Sequence, residues 1–91
     1  MHERELRAFL SIAEIGRMDL AAKKLGYSQP AISYQVMCLE RSLGTKLFIR
    51  NSEGTTLTRE GQMILSSVRA VLMLLESIKL TSRPAMAVRA A

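Results

Sequence analysis

Ala21-Ala22-Lys23-Lys24-Leu25-Gly26-Tyr27-Ser28-Gln29-Pro30-Ala31-Ile32-Ser33 sets two helical patterns on either side of a three-residue joint, Gly26 to Ser28. Before the joint, Ala21, Ala22 and Leu25 share one apolar face, and Asp19 is placed to cap the first turn with a side-chain oxygen. Gly26 ends this helix by entering the left-handed region without steric cost. After the joint, the Ser28 hydroxyl can accept from a first-turn amide, and Pro30 is tolerated there because those amides lack intrahelical partners. Ile32, Val36, Leu39 and Leu43 then recur at spacings of four, three and four before Gly44. Pro30, Tyr34, Met37 and Arg41 therefore point away from that stripe, with Gln29 and Ser33 on its flank.

Outward from this pair, Leu6, Phe9, Leu10 and Ala13 predict a first helix over about Arg4 to Ile15, capped by Gly16. Leu47-Phe48-Ile49, Asn51-Ser52-Glu53-Gly54 and Thr55-Thr56-Leu57 read as strand, turn and returning strand. Thr58 can cap a fourth helix reaching about Leu80, beyond which Thr81-Ser82-Arg83-Pro84 breaks the periodicity. The expected fold is all-α with a small β-hairpin. Residues 1–58 form a head, 59–80 a long helix, and 81–91 a tail or truncated hinge. Two short helices joined tightly, the second presenting a polar N-terminal end and followed by a hairpin, are the arrangement of a winged helix-turn-helix. An exposed helix of this kind suits the DNA major groove, whose width it matches. Small helical bundles built for protein contacts share the generic pattern.

Composition sets the bounds. A chain of 91 residues has one modest core, and 48% hydrophobic residues with 23% charged fits a folded domain. The longest apolar run, Ala70 to Leu75, is far below the roughly 20 residues that cross a bilayer. The mixed-charge start His2-Glu3-Arg4-Glu5-Leu6-Arg7 gives no support for a secretory signal, and the single cysteine, Cys38, cannot form an internal disulfide. Both agree with a cytoplasmic protein. Of the net charge of +5, residues 17–59 carry +4 and residues 60–80 carry none, so a basic part meets a neutral helix. His2 is the only histidine, which leaves Ser-His-Asp and Cys-His catalysis without a base and His/Cys zinc ligation without a set. The five glycines fit neither a P-loop nor a dinucleotide fingerprint. No enzyme, metal or cofactor is expected.

The residues narrow the choice further. Ala21-Ala22-Lys23-Lys24-Leu25 with Ser28-Gln29-Pro30-Ala31-Ile32-Ser33, then Gln35, Leu39-Glu40, Leu43-Gly44, Leu47-Phe48 and Arg50, and finally Leu57-Thr58 and Gly61, closely resembles the N-terminal domain of LysR-type regulators. The resemblance covers about residues 4–80. It implies a winged helix-turn-helix, a dimerising linker helix, and control of bacterial promoters through interrupted palindromes in double-stranded DNA. It also implies an effector small molecule only where a larger C-terminal domain follows. Carried over residue by residue, the DNA-facing roles fall on Ser28, Gln29, Pro30, Ser33, Tyr34, Gln35 and Arg50. Tyr34 and Met37 stand where the family commonly has basic residues. Bidentate guanine readout is then missing at both, leaving Gln29 for adenine or phosphate and Pro30, Tyr34 and Met37 for thymine methyls, an A·T-leaning site. Ser28 keeps two readings, helix cap and phosphate or base contact. Lys23, Lys24, Arg41 and Lys46 are either phosphate ligands or ordinary solvated charges. The same two departures motivate a rival, an interaction module that keeps the fold without binding DNA.

In the fourth helix, Ile64, Val68, Val71, Leu75 and Ile78 recur at four, three, four and three, the rhythm of a paired helix. Met63, Leu65 and Leu72 widen the apolar surface. A seam between two copies is expected there; the alternative is a helix lying over its own core.

Overall fold

In a computed structural model, residues 1–82 are described. The elements run α1 (Glu3–Ile15), α2 (Met18–Leu25), α3 (Gln29–Leu43), β1 (Phe48–Asn51), β2 (Gly54–Leu57) and α4 (Arg59–Thr81). Most of the expected 81–91 tail therefore lies outside the described residues. The expected helices and hairpin are all present.

α1 is the helix on which α2, α3, α4 and β2 all rest. Its Leu6, Ala8, Phe9 and Ile12 are buried, while Leu10 and Ala13 of the expected stripe are only partly covered. Around it close Ala21 and Ala22 of α2, Ile32, Val36 and Leu39 of α3, and Leu47 and Phe48 at the base of the wing. Phe9, Ile12, Ile32, Leu39 and Leu47 are the largest fully buried side chains. Each such burial is worth about 1.5–3 kcal/mol, which makes this cluster the main source of stability. Leu43, the last position of the α3 stripe, lies past the cluster and is exposed.

Gly16, Gly26 and Gly44 close α1, α2 and α3 in the left-handed conformation as expected. Ser28 caps α3, its Oγ accepting from the Ala31 amide at 3.2 Å. Asp19 does not cap α2. The cap position is Arg17, because the helix must begin at Met18 for that side chain to reach the core. Asp19 sits inside the first turn, its carboxylate held by the Arg17 guanidinium.

The hairpin is antiparallel, pairing Phe48 with Leu57 and Asn51 with Gly54. Two contacts fix it to the head: the Phe9 and Phe48 rings lie 5.3 Å apart in a tilted pair, and the Thr55 amide donates to the Gly16 carbonyl at 2.9 Å. Its base is tied by Thr58. The Thr58 amide donates to the Leu47 carbonyl at 2.9 Å, and its hydroxyl donates to the Lys46 carbonyl at 2.8 Å while accepting from the Gly61 amide at 3.0 Å.

α4 packs Val68 and Leu72 onto the head. Ion pairs join the same two helices: Arg7 bridges Glu3 and Glu76, and Lys79 reaches Glu3 at 2.8 Å. Partly exposed pairs of this kind contribute about 0–1 kcal/mol each, so they orient α4 more than they stabilise it. The expected seam divides here. Val68 faces its own core, Ile64 and Leu75 lie half-buried against it, and only Val71 and Ile78 are exposed. The heptad rhythm runs along both apolar faces of α4, so spacing alone does not tell which face turns inward.

Candidate nucleic-acid interface

α3 delivers its outer face to solvent because Ile32, Val36 and Leu39 hold the opposite face in the core. Ser28, Gln29, Pro30 and Tyr34 are exposed, and Ser33 and Met37 are half-buried. Strand alternation sends Phe48 inward and Ile49 outward, and Arg50 at the outer end of β1 reaches back across. The Arg50 Nη2 donates to the Ser33 Oγ at 2.7 Å. The wing and the exposed helix are thereby joined at a side chain on each. With its oxygen occupied as an acceptor, Ser33 keeps its own proton for an outside acceptor, and Arg50 retains further N–H donors.

Two grooves flank this bridge. One, of about 860 Å³, is lined by Pro30, Ser33, Tyr34, Met37, Ile49 and Arg50 among others, and its wall is largely apolar. The other, of about 400 Å³, is polar and lies between the wing and the start of α2, with Arg17, Asp19, Gln29, Arg50 and Glu53 on its walls. Six of the eight residues expected to face DNA therefore line one continuous surface. Ser28 borders it as the exposed cap of α3. Gln35 does not join them: two positions along a helix are about 200° apart, so it leaves α3 on nearly the opposite side from Ser33.

Local electrostatics favour an anion only in part. The Tyr34 phenol is pushed above the usual tyrosine range, first by the neighbouring Cys38 thiol, and so is neutral at physiological pH. It adds no charge to the apolar groove. Asp19 is held below the usual carboxylate range by the Arg17 hydrogen bonds and remains an anion. Lys46 borders the apolar groove with Glu40 at 3.6 Å.

Residues 4–62 match the family described as "Bacterial regulatory helix-turn-helix protein, lysR family". The chain belongs to the LysR family. Among its relatives, the HTH-type transcriptional regulator ClcR of Pseudomonas putida is 40% identical over 85 residues, 93% of this chain and 29% of that protein. The HTH-type transcriptional regulator TfdT of Cupriavidus pinatubonensis is 38% identical over 76 residues, 84% of this chain and 33% of that protein. The chain thus spans about a third or less of the length of these LysR-type relatives, all of them named as regulators and not as enzymes. Among solved structures, the DNA-binding domain of CbnR in complex with DNA superposes with a TM-score of 0.85 at 40% identity, covering 93% of this chain and 98% of that one.

For a LysR-type head, two residues of this surface were missed in the sequence. Ile49, 53% exposed, was read only as part of a strand, although alternation from the buried Phe48 would have turned it outward. Arg17 carries no motif; its place just before α2 was the one signal. Among the described residues no cluster of three metal-ligating side chains exists, and no helix is long and apolar enough to cross a membrane.

Proposed function

We propose that the chain binds double-stranded DNA through the outer face of α3 and the wing, regulating bacterial transcription from the cytoplasm. It acts as a homodimer paired along α4, on an interrupted palindrome with A·T-leaning half-sites. The Arg50–Ser33 hydrogen bond carries the reading, because it fuses helix and wing into one exposed, partly basic surface. Gln29 reads a base or a phosphate at the start of α3, and the Ser33 hydroxyl donates to a base or phosphate acceptor. Pro30, Tyr34, Met37 and Ile49 offer apolar contacts of the kind thymine methyls accept. Ser28 serves as the cap, with its proton free for phosphate. A small-molecule effector belongs to this reading only if a C-terminal domain accompanies the head.

Two substitutions separate positioning from readout. Arg50→Ala should weaken all duplexes similarly and flatten the slope of log affinity against log salt by about one. Gln29→Ala should cost about 1–3 kcal/mol on the preferred sequence and relax preference at one base pair. Titrating both variants against selected and random duplexes at several salt concentrations measures each effect; equal loss of discrimination in the two would reverse the assignment. Tyr34→Arg should raise nonspecific affinity and move selection from a random duplex pool toward guanine, since arginine adds a charge and a bidentate fork. An unchanged selected motif would place Tyr34 off the bases.

The apolar groove beside Tyr34 and Ile49 favours the rival reading, an apolar protein contact. Salt distinguishes them: duplex binding falls steeply as salt rises, whereas an apolar contact changes little.

A further inference from the structure

The polar groove between the wing and α2 holds a charge arrangement that the proposed function leaves unused. Arg17 directs two N–H groups at the Asp19 carboxylate, Nε to Oδ1 at 3.1 Å and Nη2 to Oδ2 at 2.7 Å. This is the parallel two-bond geometry in which a guanidinium grips a carboxylate or a phosphate. Both side chains are about half exposed, at 57% and 47%, and the pair lies on the wall that Gln29 and Arg50 share. The charged groups lining that groove are Arg17, Arg50, Asp19 and Glu53, two cations against two anions. The formal charges on the walls of the groove thus cancel, although it lies along the proposed duplex-binding face.

We infer that Arg17 is a ligand for a DNA backbone phosphate, and that Asp19 is its internal competitor, occupying the guanidinium fork until a phosphate replaces it. The inference rests on the duplex-binding reading above. Exposure makes the exchange feasible. A solvent-screened pair is weak, so a phosphate brought close by Arg50 and the start of α3 can displace Asp19 without uncovering a buried charge. The exchange requires only a rotation of the Asp19 side chain toward water. Asp19 then lowers affinity for any duplex alike, because phosphates carry no sequence. Selectivity rests with α3, and the competitor holds down the nonspecific background.

Asp19→Asn removes the competing charge at nearly constant shape. It should tighten binding to a random-sequence duplex by about three- to tenfold at moderate salt, with the ranking of sequences unchanged. Arg17→Ala should weaken all duplexes, and in the Arg17→Ala background Asp19→Asn should give little further gain. Fluorescence anisotropy on the four chains of this cycle reads the coupling directly, with Glu53→Gln, in the same groove, as the control for charge alone and circular dichroism confirming the helices. A gain from Asp19→Asn that is as large without Arg17 as with it would overturn the inference while leaving duplex binding intact. Absence of salt-sensitive duplex binding by the wild-type chain would instead remove the duplex-binding reading itself, and this inference with it.

Discussion

Gly61→Ala is expected to lower the stability of the domain by about 2 kcal/mol, although alanine is the better helix former. A Cβ built at Gly61 would collide with the Leu47 carbonyl oxygen and lie 2.8 Å from the Leu57 Cδ2. The leucine tip can move. The carbonyl cannot, because it accepts the Thr58 amide at 2.9 Å and Leu47 is fully buried. Helix propensity favours alanine by up to about 1 kcal/mol, while forcing atoms into a packed site costs about 1–3 kcal/mol and sometimes more. Packing wins. In a domain this small the net loss corresponds to a fall in Tm of roughly 10 °C. The damage should also reach function, since Gly61, Thr58 and Leu47 tie the base of the wing to α4, and a shifted wing moves Arg50 away from Ser33.

Gly44 supplies the contrast. Its Cβ would meet nothing within 4 Å, but its φ of +70° is a left-handed conformation. Gly44→Ala should therefore cost about 1–2 kcal/mol through backbone strain alone, and Gly44→Asn less, because asparagine tolerates that region. At Gly61 the order reverses, with asparagine worse than alanine. Thermal unfolding of the four variants checks both; a Tm for Gly61→Ala at or above wild type would show that Leu47 yields.

These two glycines mark what was legible in the sequence. Gly44 announces a helix end by its place after an apolar stripe, and the Ser28 and Thr58 caps were readable in the same way, because each requirement is local. The close approach at Gly61 joins residues 14 apart in the chain, Leu47 and Gly61, and no local pattern encodes it. Asp19 failed as a cap for a similar reason: burial of Met18 fixes where α2 begins, and that depends on the packed core. The outer face of α3 was legible from its period, and family likeness supplied Arg50. The bridge from Arg50 to Ser33 and the outward turn of Ile49 depend on where the hairpin lands, which the sequence left open. Gln35 was carried over by likeness, and the helical period alone sets it on a side of α3 away from Ser33 and outside the two grooves.

Leu74→Asp should leave the head folded and separate the proposed dimer, whereas Val68→Asp should unfold the head. The two positions lie about 120° apart around one helix. Val68 is 5% exposed against its own core, while Leu74 is 63% exposed. At about 100° per residue, Met63, Ser67, Ala70, Leu74, Ser77 and Thr81 run along one outward line, with Val71 and Ile78 on one flank and Met73 and Leu80 on the other. Their spacing of four, three, four, three and four is that of a coiled-coil seam, and the small residues in it allow close approach of a second helix. Single exposed apolar residues are ordinary, but Met63, Val71, Met73, Leu74, Ile78 and Leu80 gathered on and beside one line of a 23-residue helix make a surface that a monomer rarely leaves bare. A carboxylate at Leu74 would have to be desolvated in such a seam, at a cost of several kcal/mol, enough to dissociate a modest dimer. The same carboxylate at Val68 would face the apolar core around Phe9 and Ile12, and would take a large share of the few kcal/mol that hold a small domain together. Sedimentation equilibrium should give a dimeric wild type and a monomeric Leu74→Asp variant with retained helical circular dichroism. Val68→Asp should lose helix. A monomeric wild type, or a Leu74→Asp chain that stays dimeric, would move the seam off this face. The Leu74→Asp monomer should bind a half-site almost as the wild type does and a full palindrome far more weakly, because only the palindrome uses the second head.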